Sequence, residues 1–512
     1  MTEKETYRIR LRPTEVELRA PAGTALRDLL FEHGVEFPCG GRGRCRGCRV
    51  RVHAGTAEVN DAQREKLSDE ELKNGWRLAC QCSLADNLEV ELRQWDAAIL
   101  TDDSPFAFEP RPGLGVAVDV GTTTLVAQLV DLTTGRVLAV RTALNAQARY
   151  GADVMSRIEY ACSDGHLPAL SQLIRHQVAS LIDQLIFSAK AARAEVRDVV
   201  LVGNTVMHHL FCEVEVEPLS QYPFESPETG LRIFRADDLG WNLDPGSTVR
   251  FLPCLGGFVG SDVLAGVLAT EIGKSKELGA LVDLGTNGEI VVGNSSVLLC
   301  ASTAAGPAFE GARITMGMRA ATGAISQVTV EGQRLACHVL GNTAPQGLCG
   351  SGLVDAVAAG LDLEIIQPSG RFANGRKEWT LAQPVALTQS DIRELQLAKG
   401  AIAAGFRILL EHLGLSMGDV KKLYLAGAFG NYISRSSARR IGLIDLPIDQ
   451  VSPAGNTALL GAKLALFTID GEDGSYTGLR QKIEHVALKA DAKFQEAFVD
   501  ALAFPQHSHV HS

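Results

Sequence analysis

The chain has 512 residues, 46% of them hydrophobic and 21% charged, a globular composition with room for about two to four domains. Its net charge of −11 argues against general nucleic-acid binding, which draws on a basic excess. The opening MTEKETYRIRLRP lacks the apolar run of a secretory signal, and no stretch of about 20 apolar residues marks a membrane span, so a cytoplasmic location is expected.

Residues 5–20 alternate with period two, through Tyr7, Ile9 and Leu11 and then Val16 and Leu18, around a turn near Pro13. This pattern predicts a hairpin. Thr24 reads as the N-cap of a helix carrying Leu26, Leu29 and Leu30, with Gly34 as its stop. A cysteine-rich loop follows, and 87–92 reads as a last strand, so residues 1–94 form a compact α+β domain. The run from 95 to 113, with Asp102, Asp103, Ser104, Pro105, Pro110, Pro112 and Gly113, has the composition of a linker.

Eleven cysteines in a chain without a secretory signal do not suggest a disulfide scaffold. Cys162, Cys212, Cys254, Cys300, Cys337 and Cys349 are scattered among apolar or small neighbours and read as small buried residues. Cys39, Cys45 and Cys48 instead form C-x5-C-x2-C within PCGGRGRCRGC, and Cys80 lies further on in RLACQC. Four thiolates in this 3+1 spacing suit a 2Fe-2S cluster, two to each iron, and the loop glycines let backbone N–H groups approach inorganic sulfide. A zinc site is the alternative, although its four-cysteine form more often shows two C-x2-C pairs. Cys82 competes with Cys80 for the fourth place. Arg42, Arg44, Arg46, Arg49 and Arg51 surround the loop, either to steer an acidic partner or as a solvated basic rim.

From Leu114 the texture becomes apolar strands punctuated by Gly and Thr, and GVAVDVGTTTLVAQLVDLTTGRVLAVRT returns as ALVDLGTNGEIVVGNSSVLLCAST. Asp119 and Asp283 are equivalent positions in the two copies, and the strand turns fall at Thr134-Gly135 and Asn294-Ser295. The echo predicts a duplicated α/β domain over 114–512, with lobes at about 114–278 and 279–470 and a C-terminal extension. Helices are expected through Leu173 to Leu185 and through Ile392 to Leu409, the second behind a capping box from Thr388 to Asp391.

Each copy offers a phosphate loop. In the first, Gly121 permits a tight turn and Thr122, Thr123 and Thr124 bring N–H and hydroxyl donors; in the second, Gly285, Thr286 and Asn287 do the same, followed by Glu289. Asp119 and Asp283 are candidates to hold Mg2+ through water beside the phosphates. Glu289 is a candidate to position an attacking water. In LYLAGAFGN, the small loop Gly427, Ala428, Phe429 and Gly430 follows an apolar strand and would let an adenosine lie against the backbone. No G-x4-G-K-[ST] occurs, so the P-loop solution is excluded. His208 and His209 in VGNTVMHHL are adjacent, which points their rings apart and makes a joint metal role unfavoured.

These three loops in this order resemble the acetate kinase, sugar kinase, Hsp70 and actin superfamily, with its duplicated ribonuclease-H-like fold. The cysteine spacing is similar to adrenodoxin-like ferredoxins of β-grasp fold, and RLACQ matches their usual context for the fourth ligand, which favours Cys80. Together the two regions resemble the reductive activators of corrinoid-dependent methyltransferases. YGADVMSRI, VGNTVMHHL, GGFVGSDVLAG, STAAGPAFEGA and GLCGSGLVD are similar to that family, whose longer members carry a further small domain before the ATPase. The resemblance implies a 2Fe-2S cluster, ATP and Mg2+ as cofactors, a corrinoid protein as partner and a ferredoxin or flavoprotein as electron donor. It also implies the activity: one electron passed to Co(II), restoring Co(I), with ATP making the uphill step possible. A homodimer is compatible with it.

Two other function classes are open on sequence alone, an ATP-dependent activator of another low-potential enzyme and a redox-sensing small-molecule kinase. The self-contained four-cysteine domain argues against the first, and the lack of a recognisable substrate base argues against the second. Cys45→Ser is expected to remove or weaken the visible absorption of the cluster while leaving ATP binding intact; a retained wild-type spectrum would count against the ligand set.

Overall fold

The computed structural model describes residues 5–12, 16–30, 48–92, 108–151, 153–163, 165–285, 287–311, 313–320, 323–332, 334–340, 343–430, 433–468 and 476–506. Gly34, the expected helix stop, and the tail after 506 lie outside them. Strands β1 (Thr6–Arg12) and β2 (Val16–Pro21) pair as the expected hairpin, and α1 (Leu26–Leu30) follows. Next come β3 (Arg49–Ala54), α2 (Asp61–Lys66), α3 (Asp69–Lys73), β4 (Trp76–Leu78) and β5 (Leu88–Glu91). The sheet order is β2-β1-β5-β3-β4, with β5 parallel to β1. Alternation places Ile9 and Leu11 on the inner face, where they are fully buried with Leu26, Leu30, Val50 and Val90. This is the β-grasp ferredoxin fold.

The second region opens with β6 (Leu114–Val120), β7 (Thr124–Asp131) and β8 (Val137–Leu144), followed by α4 (Val154–Cys162) and α5 (Leu167–Ala189). Then come β9 (Val196–Val202), α6 (Thr205–Cys212), β10 (Arg232–Arg235), β11 (Thr248–Phe251) and α7 (Ser261–Thr270). The second lobe repeats the plan with β12 (Gly279–Leu284), β13 (Gly288–Gly293) and β14 (Leu298–Thr303). An insertion supplies β15 (Ala324–Glu331), β16 (Arg334–Val339), β17 (Gly347–Leu348), α8 (Gly350–Asp362), β18 (Glu378–Ala382) and β19 (Val385–Thr388). The long helix α9 (Gln389–His412) then leads to β20 (Lys422–Ala426), α10 (Gly427–Gly430), α11 (Arg435–Arg440), β21 (Val451–Gly455) and α12 (Thr457–Ala465). Finally α13 (Tyr476–Lys482), β22 (Ile483–His485) and α14 (Phe494–Leu502) complete the lobe.

The sheet orders are β10-β11-β9-β6-β7-β8 and β21-β20-β12-β13-β14-β22. In each, the first strand pairs antiparallel with the second and parallel with the fourth, so the sequence echo is a duplication of topology. This is the actin and sugar-kinase type of α/β fold. The turns at Thr134-Gly135 and Asn294-Ser295 join the expected strands, and Thr388 caps α9 with a reciprocal bond from Asp391. The segment marked in the sequence only as an extension is built into the second lobe: β22 runs parallel to β14, and Leu502 and Ala503 carbonyls accept bonds from Gln396 and the buried Lys399 of α9.

Each sheet has one face on its own core and the other on a shared one. The shared core takes Ala117, Val130 and Val200 from the first sheet, Leu281, Val291 and Cys300 from the second, and the inner faces of α7 and α12 between them. The reading of the scattered cysteines as buried holds for Cys254, Cys300 and Cys349; Cys212 and Cys337 are half-buried, and Cys162 is exposed where α4 ends. Among the described residues no helix is long and apolar enough to cross a membrane.

The seam depends on how closely α7 and α12 approach. A Cβ on Gly461 would sit 2.0 Å from the Ala265 carbonyl oxygen, a contact no flexible side chain can relieve. Alanine would gain about 1 kcal/mol of helix propensity at this position. Gly461→Ala is nevertheless expected to lower unfolding free energy by about 1–3 kcal/mol, read by denaturant titration, because overpacking against backbone outweighs that gain.

Candidate functional site

The first phosphate loop turns at Gly121, where a Cβ would lie 2.4 Å from the Thr124 carbonyl oxygen. Its carbonyls are held from behind. Asn145 Nδ2 donates to Gly121 O at 2.9 Å, Arg157 Nη2 to Thr122 O at 2.5 Å, and the Asn145 N–H to Thr123 O at 2.8 Å. With the acceptors engaged on that side, the loop is set to present donors to an anion. Arg157 is completely buried, and burial pulls its guanidinium down to about 9. It reaches the loop from α4, inside the stretch YGADVMSRI, with its Nε also bonded to Gly151 O.

Two further stretches singled out in the sequence meet the same loop. Asn204 caps α6 through Met207 N–H and donates its Nδ2 to Thr122 Oγ1 at 2.8 Å. Gly260 packs so tightly on that turn that a Cβ would lie 2.2 Å from Gly203 O. Ser261 Oγ accepts from Gly203 N–H at 3.1 Å, and this docking sets Asp262 in the first turn of α7. Asp262 is a site residue that motif reading missed.

Asp119 stands at the end of β6 and Asp283 at the equivalent end of β12; Glu289 is the cross-strand neighbour of Asp283 on β13 and accepts from Ser302 Oγ at 3.3 Å. The second loop keeps its turn through Gly285 N–H to Asn287 O at 3.0 Å, while Thr286 lies outside the described residues. Gly427, with φ +85°, abuts this loop, and a Cβ there would meet Asp283 Oδ1 at 2.6 Å. The sequence reads 427–430 as a loop; it is a single helical turn after β20, with the Ala428 and Phe429 side chains outside the description.

Asp119, Asp262, Asp283 and Glu289 thus converge from both lobes and from the connecting helix. Burial raises Asp119 to about 6, with Asn456 Nδ2 donating to its Oδ2 at 3.0 Å as the opposing influence. Burial, then the charge of Asp283, raises Asp262 to about 7; burial, then Asp119, raises Asp283 to about 7. Glu289 is pushed well above the carboxylate range by burial and by Asp262 and Asp283. Asn456, the N-cap of α12, was also missed, although Asn before a helical run is a cap signal. Among the described residues no three Asp, Glu, His or Cys are grouped to ligate a metal directly. A hydrated cation, held through its waters, fits this spacing.

In the ferredoxin domain Cys48 precedes β3 and Cys80 sits in the short helical turn Ala79–Gln81 after β4. The Ala79 N–H donates to Cys48 O at 3.0 Å, bringing the two segments together. Cys39 and Cys45 lie outside the described residues, as do Arg42, Arg44 and Arg46. Cys82 points into the core, 5% exposed, with Gln63 Nε2 at 3.7 Å from its sulfur, and burial pushes its thiol up to about 11. Arg49 pairs with Glu71 at 3.0 Å, lies over Trp76 and donates to Gln346 of the second lobe at 3.4 Å, while Arg51 bonds Asn74 O. These two arginines are thus engaged within the chain.

His208 and His209 do not point apart: their Nδ1 atoms lie 3.3 Å from each other, with outer nitrogens on Gly230 O and Ser226 Oγ. Both are buried on α6, and burial lowers them to about 3 and 4, so they are neutral core residues.

Comparison with known proteins finds three family models along the chain. The family model for the 2Fe-2S iron-sulfur cluster binding domain matches residues 9–85, that for the RACo middle region 114–275, and that for the C-terminal domain of RACo, the ASKHA domain, 277–511. The chain is 36% identical over 431 residues to the corrinoid activation enzyme RamQ of Eubacterium limosum, covering 78% of this chain and 72% of that one. It is 26% identical over 424 residues to the [Co(II) methylated amine-specific corrinoid protein] reductase of Methanosarcina barkeri, covering 76% and 77%. The solved structure of a reductive activator for corrinoid, iron-sulfur protein superposes with a TM-score of 0.69 at 27% identity over 98% of both chains.

The raised carboxylates set a sign. Folded Asp262 titrates near 7 against an ordinary 3.8, so the folded cation-free protein binds more protons across that interval and gains stability as pH falls through it. Asp262→Asn is expected to stabilise the cation-free protein by on the order of 1 kcal/mol at pH 8, and by less as pH approaches 5. Chemical denaturation with EDTA reads this, and added Mg2+ should remove the advantage of the variant.

Proposed function

The chain belongs to the family of reductive activators of corrinoid proteins, and we propose that it transfers one electron from a 2Fe-2S cluster to the Co(II) corrinoid of a methyltransferase system, restoring Co(I), in a step driven by ATP. The observation that carries the ATP dependence is the meeting of Asp119 and Asp283, 164 residues apart in sequence, in one carboxylate-lined cleft between two phosphate loops. When bound, the cluster supplies one-electron chemistry and MgATP supplies binding and hydrolysis free energy.

Cys39, Cys45, Cys48 and Cys80 hold the cluster in this reading. The burial of Cys82 against Gln63 supports Cys80 as the fourth ligand. Gly121 to Thr124 and Gly285 to Asn287 face the phosphates with N–H and hydroxyl donors, and Gly427 to Gly430 lie against the adenosine. Asp119 and Asp283 would hold the waters of Mg2+; the mutual repulsion of these half-buried carboxylates, which a divalent cation would relieve, supports that role. Asp262 and Glu289 are the two acids left to orient an attacking water. The electron balance is one in, from an external ferredoxin or flavoprotein, and one out to cobalt. The protein acts in the cytoplasm, where its thiols stay reduced.

The test is anaerobic stopped-flow spectroscopy of the reduced protein mixed with a Co(II) corrinoid protein, following cluster reoxidation and Co(I) together. Co(I) is expected with Mg-ATP and at least about tenfold more slowly without it. A protein that reduces and binds ATP but gives no Co(I) with any corrinoid partner would sink the assignment. Asp283→Ala is expected to impair Mg-ATP binding, measured by calorimetry, without bleaching the cluster.

A further inference from the structure

Helix α12 touches the nucleotide cleft at one end and the entry of the interdomain segment at the other. At its N-terminus, Asn456 donates to Asp119 Oδ2 at 3.0 Å and accepts from Leu459 N–H at 2.8 Å, so the contact is fixed to the helix itself. At its C-terminus, the Leu466 carbonyl accepts from Arg111 Nη2. The same Nη2 lies 2.8 Å from Asp198 Oδ2 on β9, and the Phe108 ring packs on Phe467 with centroids 4.6 Å apart. Arg111 is further placed in the backbone by its N–H to Leu132 O at 3.1 Å. Residues 108–113 are the last of the segment leading from the ferredoxin-like domain into β6, the strand that carries Asp119 next to its last residue.

The nine residues of α12 span about 13 Å as a helix. Bending is opposed along that length by the close seat of Gly461 on Ala265 O and by the contact of Gly266 with Thr457. A displacement at Asn456 is therefore passed to Leu466 and Phe467 as a rigid movement. We infer that Arg111 couples the nucleotide cleft to residues 108–113, the part of the interdomain segment that enters β6, with α12 as the rod between them. This deepens the proposed ATP dependence and rests on it. Water held by a hydrated cation at Asp119 would compete as donor with Asn456 Nδ2 for Oδ2, α12 would shift, and Arg111 and Phe108 would carry the shift to residues 108–113. The nucleotide acts through its different affinity for the two positions of α12. Arg111 is a positioning residue, remote from the reacting atoms.

The experiment is hydrogen-deuterium exchange of the full chain, with and without Mg2+ and a non-hydrolysable ATP analogue, and no corrinoid protein present. In the wild type, the analogue is expected to change exchange in the phosphate loops, at 457–467 and at 108–113. Arg111→Ala and Phe108→Ala should each keep the phosphate-loop response and the cluster spectrum, with analogue affinity unchanged, but lose the response at 108–113. Arg111→Lys, which retains the pair with Asp198, should recover part of it. ATP-dependent Co(I) formation should fall at least about tenfold in the two truncations.

A wild type whose phosphate loops respond while 108–113 do not overturns the coupling, as does a response at 108–113 that survives both truncations. Arg250, 3.8 Å from Asp198 Oδ1, leaves that carboxylate a partner when Arg111 is truncated, and Phe108→Ala spares the ion pair altogether. Because the exchange measurement contains no corrinoid, an Arg111-dependent response in a protein that never forms Co(I) would keep the coupling and remove the partner.

Discussion

Four carboxylates that repel one another are gathered at the seam of two lobes, and the surrounding architecture is arranged to keep them there. Asp119 and Asp283 arrive on equivalent strands, Glu289 on the neighbour of one of them, and Asp262 on the helix that leaves the first lobe. Burial and mutual repulsion raise their proton affinities. A fold keeps such a cluster only when other interactions over-determine it. Here those are the shared apolar core beneath and the neutral donors above, with the Asn456 side chain bonded to Asp119 across the seam.

The same logic explains where the tight packing is. Gly260 against Gly203, Gly427 against Asp283 and Gly461 against Ala265 are three places where a single methyl group would separate elements that must touch. Arg157 is the complementary case, a large buried cation bonded to two carbonyls, Thr122 O in the Gly121 turn and Gly151 O ahead of α4.

Much of this was legible in the residues. The period-two runs, the repeated Asp-x-Gly-Thr and the Thr388 cap each follow from local chemistry, and each is found where its pattern lies. What was hidden depends on distance in sequence. Asp262 looks like any acid at a helix start, and only the seat of Gly260 on Gly203 turns it into the cleft. Asn456 announces a cap but not the carboxylate, some three hundred residues upstream, that its amide also reaches. Cys82 competes with Cys80 in spacing, and the contact of its sulfur with the Gln63 amide in the core depends on a residue 19 positions away that spacing does not reveal. The paired histidines misled because adjacency on a helix directs Cβ atoms apart without stopping two flexible rings from turning back to each other.

The last strand of the second sheet has a consequence for how the protein is made. β22 covers the edge of β14, from which it is separated by 185 residues, and the segment around it returns to the first lobe through His485 with Glu225 at 3.0 Å and Arg480 with Cys254 O and Thr229. During synthesis the ferredoxin-like domain has all its strands long before this segment leaves the ribosome, whereas the second lobe carries an open sheet edge until the segment emerges. Cluster insertion can therefore proceed on a finished domain while the remainder of the nascent chain still needs protection from aggregation.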